Sequence, residues 1–154
     1  MADFQYNVAK GRTVELFNRV DSNDPSTSGI IVIPVDVAAV TDATLKDVDT
    51  FAAVLSAGVT ERSTNGWGRK TLTDADITLA APNDTSDLRA VTIAAQTWTT
   101  VTSGAVTDVI ACYAPDVAGA DSTLVPLLQF DAPFTPDGSD IVVTPDAAGL
   151  MTSS

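Results

Sequence analysis

The chain has 154 residues, 45% of them hydrophobic, and a formal net charge of -12 at pH 7. This length suits one domain with a core of its own. The sequence has no histidine and one cysteine, which excludes histidine-based triads, histidine metal sites, thiolate zinc clusters and internal disulfides. No apolar run approaches the ~18 residues that a membrane helix needs. The start lacks the charged and apolar regions of a signal peptide, which predicts synthesis in the cytoplasm.

The basic residues are confined to the first part of the chain. All eight lie between Lys10 and Arg89, and residues 90–154 contain seven aspartates and no Lys or Arg. So acidic a chain repels phosphates, and we expect neither nucleic acid nor a membrane as a partner. One interpretation is that the acidity gives solubility. The other is that the protein works in many crowded copies, and that its acidity prevents it from binding bulk anions. Aspartate supplies 18 of the 20 acidic residues, which indicates many turns and caps.

The N-terminal segment contains a predicted amphipathic helix. Residues 7–20 carry apolar side chains at helical spacing, although Gly11 weakens the helix. Residues 21–29 are polar and rich in turn formers, so they end it. The chain is therefore predicted to consist of an N-terminal arm over residues 1–27, helical or extended, and a single β-rich domain over residues 28–154.

One strand and one short helix are predicted next. Residues 30–35 form a continuous, mostly β-branched run that predicts a buried strand, in which Pro34 requires an edge or a bulge. Residues 41–57 have apolar side chains at helical spacing, with Thr41 or Asp42 as the N-cap.

The rest of the chain has the pattern of an all-β domain, because short β-rich runs alternate with Asp, Gly and Pro turns. Such spacing predicts an antiparallel β-sandwich or barrel. The fold class is therefore mainly β. The predicted strands are residues 68–73, 77–80, 88–94, 106–113, 124–130 and 139–144, and the predicted turns are 81–84, 115–119 and 131–138.

No motif for catalysis or cofactor binding is present. Without histidine, a serine nucleophile would need a lysine base, and the S-x-x-K pattern is missing. Aspartates close in sequence could bind Ca²⁺, but no EF-hand loop occurs and turn or cap roles explain them better. We therefore predict no enzyme, no cofactor and no metal. These aspartates are Asp47 and Asp49, Asp74 and Asp76, and Asp137 and Asp140.

Two tryptophans and the single cysteine leave alternatives open. Trp67, between two glycines, either packs in the core or a turn, or stacks on a sugar, a base or a partner's groove. Trp98 follows an alternating run and is expected to be a core anchor. Cys112 lies in an apolar run and is expected to be a buried, unreactive thiol.

Several short motifs follow one another in a particular order over the last two-thirds of the chain. They include a glycine/aromatic strand start, a paired Asn-Asp turn, a Thr-Trp-Thr corner, an apolar strand and a glycine-containing end. In this order the chain resembles a group of small structural proteins encoded among the head and tail genes of tailed bacteriophages. The matching residues are Gly66–Leu72, Asn83–Asp84, Gln96–Thr99, Val109–Tyr113, Leu124–Asp131, Thr135–Val142 and Ala148–Leu150.

The resemblance implies a β-rich, non-enzymatic protein present in many copies per virion. We expect a capsid decoration (cement) protein that binds the major capsid protein on the outer surface of the head. We also expect it to form a homo-oligomer, with a trimer favoured. The candidate interface residues are Phe4, Tyr6, Arg12 and Arg19 in the arm, and Trp67.

Two alternatives remain at this point. The first is a tail, neck or head-spike component of the virion. The second is a carbohydrate-binding module with an exposed Trp67 as its stacking platform.

Overall fold

The computed structural model describes residues 2–85 and 89–144 and the backbone of residues 151–153. The chain is mainly β, with 35% strand and 19% helix, and its antiparallel sheets form a β-sandwich-like domain. This confirms the predicted fold class. The helices are α1 (Thr13–Asp21), α2 (Asp42–Lys46) and α3 (Phe51–Ser56), with 3-10 turns at Asn7–Ala9 and Asp74–Asp76. The strands are β1 (Phe4–Gln5), β2 (Gly29–Asp36), β3 (Thr60–Glu61), β4 (Lys70–Leu72), β5 (Ile77–Leu79), β6 (Arg89–Ile93), β7 (Gln96–Trp98), β8 (Val106–Ala114), β9 (Val125–Phe134), β10 (Ile141–Val143) and β11 (Met151–Ser153).

The largest sheet has the strand order β1-β9-β8-β2-β3, and β4 also pairs with β2. Strand β2 pairs with β8 over seven consecutive residues, from Gly29 opposite Ala114 to Val35 opposite Asp108. Both strands are buried along almost their whole length. Both faces of the sheet centre are therefore covered, which is why β2 is a continuous apolar run instead of an alternating one.

Pro34 occupies a gap between two short neighbouring strands. On one side of β2, β4 pairs at Ile30–Val32 and β3 pairs at Val35–Asp36. Pro34 lies between these pairings, so its missing N–H costs no hydrogen bond to either strand. Its carbonyl oxygen accepts a hydrogen bond from the Arg62 N–H at 2.9 Å.

Two smaller sheets complete the described β structure. Strand β6 lies between β5 and β11, and β7 pairs with β10. The strand β7 was not predicted, because residues 96–98 are too few to show a period-2 pattern. Its Trp98 is buried opposite Ile141 of β10, which confirms the expectation that Trp98 is a core anchor.

The two predicted helices were longer than the helices in the structure. The chain turns at Gly11, with a φ of 77°, so residues 7–20 form a 3-10 turn and then α1 instead of one helix. Residues 41–57 form two helices, because the Thr50 side chain accepts a hydrogen bond from the Ala53 N–H and caps the start of α3. The turn predicted at 131–138 begins late, since β9 continues to Phe134.

The N-terminal segment packs into the same core as the sheet. Strand β1 pairs with Leu128 and Gln129 of β9. Tyr6 and Phe17 have no exposed surface. Side chains from residues 4–21 thus share the core that was assigned to residues 28–154.

The loop around Trp67 packs closely against the backbone that follows β7. Asn65 and Gly66 have φ values of 60° and 96°, and the Trp67 N–H donates to the Thr64 carbonyl oxygen at 3.1 Å. A Cβ atom on Gly66 would come within 2.8 Å of the Thr100 carbonyl oxygen. A side chain at residue 66 would therefore clash with the backbone that follows β7.

We expect Gly66→Ala to lower the free energy of unfolding by roughly 2–4 kcal/mol, because alanine disfavours this φ and its methyl group overlaps backbone atoms. Gly68→Ala is the matched control, since a Cβ atom there has no neighbour within 4 Å. We expect it to change stability by less than about 0.5 kcal/mol. Chemical denaturation followed by tryptophan fluorescence measures both, and equal effects of the two substitutions would contradict this account of the loop.

Candidate binding surface

Helix α1 exposes a row of charged side chains. Arg12 immediately precedes α1, and the spacing of Arg12, Glu15 and Arg19 places their side chains close together, on the side away from the buried Phe17. Arg19 Nε lies 3.0 Å from Glu15 Oε1, and Arg12 Nε lies 3.9 Å from Glu15 Oε2. The Arg12 and Arg19 side chains are 56% and 46% exposed. One carboxylate thus faces two accessible guanidinium groups.

Arg89 extends this row from a different part of the chain. It lies on β6, and its Nη2 donates to Asn18 Oδ1 at 3.5 Å. Its Nε donates to the Ala80 carbonyl oxygen, so within the described residues its charge has no carboxylate partner. We call Arg12, Arg19 and Arg89 the basic face. Sequence analysis missed Arg89, since only the folding of β5 and β6 beside α1 brings it there.

Of the two aromatic candidates in the N-terminal segment, only Phe4 reaches the surface. Phe4 is half-buried, with its ring 5.1 Å from that of Tyr6 and 5.0 Å from Lys46 Nζ. Tyr6 has no exposed surface, and its hydroxyl donates to Gln129 Oε1 at 2.9 Å. Burial raises the pKa of Tyr6. In this conformation Tyr6 cannot touch a partner, because it anchors the N-terminal segment to β9.

Trp67 is a core side chain with 5% of its surface exposed. Its ring lies 5.5 Å from that of Trp98, and its Nε1 donates to the Gly104 carbonyl oxygen at 2.7 Å. Trp98 Nε1 donates to the Gly68 carbonyl oxygen at 2.6 Å. Both polar atoms of the pair are therefore satisfied internally. Trp67 offers no open ring face to a sugar or to a partner in this conformation.

A buried polar chain links the N-terminal segment to the centre of the sheet. Asp108 of β8 has no exposed surface, and its Oδ1 accepts a hydrogen bond from Gln129 Nε2 at 3.0 Å. Gln129 in turn accepts from Tyr6. The second carboxylate oxygen of Asp108 has no hydrogen-bond partner. Burial raises the pKa of Asp108 above its ordinary value, because the charged form loses its hydration.

Two of the aspartates considered as possible metal ligands form local cap or turn hydrogen bonds. Asp76 closes a capping box with Thr73, and Asp137 Oδ1 accepts from the Ser139 N–H at 2.9 Å. Within the described residues no group of three or more Cys, Asp or Glu side chains could hold a metal ion. Cys112 is buried, as expected, and burial raises the pKa of its thiol.

Two further findings bear on the identity of the chain. None of the helices in the described ranges combines the length and apolar character that crossing a membrane requires. Comparisons with protein-family models, with curated proteins and with solved structures found no match. The resemblance to phage structural proteins therefore stays a prediction, carried by the motifs themselves.

We expect Asp108→Asn to stabilise the protein at about pH 7, since it keeps the acceptor for Gln129 and removes a buried charge. The folded-state pKa of Asp108 lies above the unfolded value. The protonated carboxyl of Asp108 therefore contributes fully to stability below the pKa of the unfolded state. This contribution is lost as pH rises through the pKa of the folded state. Urea unfolding between about pH 3 and pH 7 should show a gap between variant and wild type that opens as pH rises.

Asp137→Asn is the control with the opposite sign, because hydrogen bonds from Ser139 lower the pKa of Asp137. Its loss of stability should appear at about pH 7 and vanish at low pH. An Asp108→Asn variant less stable than wild type at about pH 7 would show that the charged form of Asp108 is favoured in the folded protein.

Proposed function

We propose that the chain is a non-enzymatic virion structural protein of a tailed bacteriophage, a capsid decoration protein that binds the outside of the head. The observation that carries the proposal is the order of motifs over the last two-thirds of the chain. These motifs coincide with the sheet framework: Gly66–Leu72 covers the Trp67 loop and β4, Gln96–Thr99 covers β7, and Leu124–Asp131 covers most of β9. The resemblance thus concerns the residues that build the fold.

The distribution of charge supports a protein that binds other proteins in a crowded assembly. A net charge of -12 keeps free copies apart in solution. The basic face interrupts this acidic surface at one exposed helix. A surface of this kind favours a specific contact over general adhesion.

The mechanism we propose is mechanical. A decoration protein that contacts neighbouring capsomers adds buried interface across their boundary, which raises the free energy needed to separate them. An interface of ~800 Å² per partner, repeated over many copies, suffices. The major capsid protein is the proposed partner, together with further copies of this chain in a homo-oligomer, with a trimer favoured.

The decisive measurement is the stoichiometry of binding to emptied capsids of the phage that encodes the chain. We expect sedimented capsids to saturate at a fixed ratio, near one copy per major capsid subunit or one trimer per local threefold axis. The unbound protein, sedimented alone at the same concentration, is the control. A few copies per particle would move the assignment to the neck, spike or tail, and no binding would remove the assignment to the virion surface.

A further inference from the structure

We infer that the basic face is the surface by which the chain docks on a carboxylate-rich patch of the shell protein. This inference rests on the proposed function and names the contact within it. Arg12 precedes α1, Arg19 lies on α1 and Arg89 lies on β6. Among the described carboxylates, only Glu15 forms an ion pair with any of the three. Asp21 lies two positions after Arg19 and so on the other side of the helix from it.

The basic face stays positive although the whole chain is acidic. At physiological salt a charge is screened beyond ~8 Å, so a partner in contact senses the side chains in front of it more than the net charge of -12. Arg19 is a cation at any working pH because a guanidinium group is effectively always protonated, and the hydrogen bond to Glu15 raises its pKa further. Lys10 adds a further exposed positive charge in the turn before α1.

A carboxylate-bearing protein fits this surface better than nucleic acid does. Guanidinium groups donate paired hydrogen bonds to carboxylates as well as to phosphates. Proteins that hold DNA by its backbone neutralise several phosphates, on the order of 6–10 in strong binders. Three guanidinium groups on a chain of net charge -12 fall short of that number, whereas a few exposed carboxylates complete a protein contact.

The basic face is also accessible without rearrangement. The Arg12 and Arg19 side chains are about half exposed, and their pairing with Glu15 is a surface pairing. Exposed ion pairs contribute little to stability, so Arg12 and Arg19 are free to exchange Glu15 for carboxylates of a partner. Phe4 and the buried Tyr6 and Trp67 are not needed for this contact.

The test is a binding titration on emptied capsids with Arg12→Glu and Arg19→Glu, each introduced alone. We expect each substitution to raise Kd by about tenfold, because it replaces an attraction with a repulsion. Lys70→Glu is the matched control: it changes the net charge by the same amount on β4, at a side chain that lies against Trp98. We expect its Kd to stay within about twofold of wild type.

Arg19→Lys separates charge from folding, because it keeps the positive charge but loses the paired hydrogen bonds, and we expect its Kd to lie between those of wild type and Arg19→Glu. Wild-type binding that neither Arg12→Glu nor Arg19→Glu weakens would overturn the inference and leave the proposed function standing. Equal weakening by Lys70→Glu would overturn it too, since net charge alone would then explain the effect. Absence of wild-type binding would overturn both.

Duplex DNA of random sequence, titrated at about 0.15 M NaCl, is the probe for the competing occupant. We expect no binding to the wild-type chain. Binding that Arg19→Glu abolishes and Lys70→Glu leaves intact would assign the basic face to nucleic acid and overturn the inference.

Discussion

Seven residues of β2 pair with seven of β8 at the centre of the main sheet, and the rest of the described structure is arranged around this pair. Because both strands are buried on both faces, other elements must cover them on each side. Helix α1 supplies part of that cover through Leu16, Phe17 and Val20, which are buried in the core. Because the paired strands β2 and β8 need this cover, the N-terminal segment packs into the same core. The side of α1 that faces away from the core remains exposed.

The buried chain of Tyr6, Gln129 and Asp108 fastens the N-terminal segment at a second point. It runs from the segment after β1 through β9 to β8, so three elements depend on one set of polar side chains. Such a chain restricts the register of the strands, since a shift of one residue would leave buried polar atoms without partners. An unpaired oxygen on Asp108 is the cost of this arrangement.

This packing leaves the basic face on the surface of a chain whose net charge is -12. Arg12 and Arg19 lie before and on α1, and Arg89 of β6 joins them through its hydrogen bond to Asn18. Trp67 and Trp98 are buried in the core and so are not part of this surface.

The sequence by itself determined the fold class and most strands, because apolar and β-branched runs separated by Asp, Gly and Pro turns are local signals. It also determined the burial of Cys112, which lies in such a run, and of Trp98, which follows one. It did not determine that Gly11 and Thr50 would break the predicted helices, since a helical pattern of apolar residues continues across both positions. Only the tertiary structure decided that Tyr6 and Trp67 are buried and that Arg89 meets α1. Asn18 and Arg89 are 71 residues apart, and no local pattern encodes a contact made by the packing of a sheet against a helix.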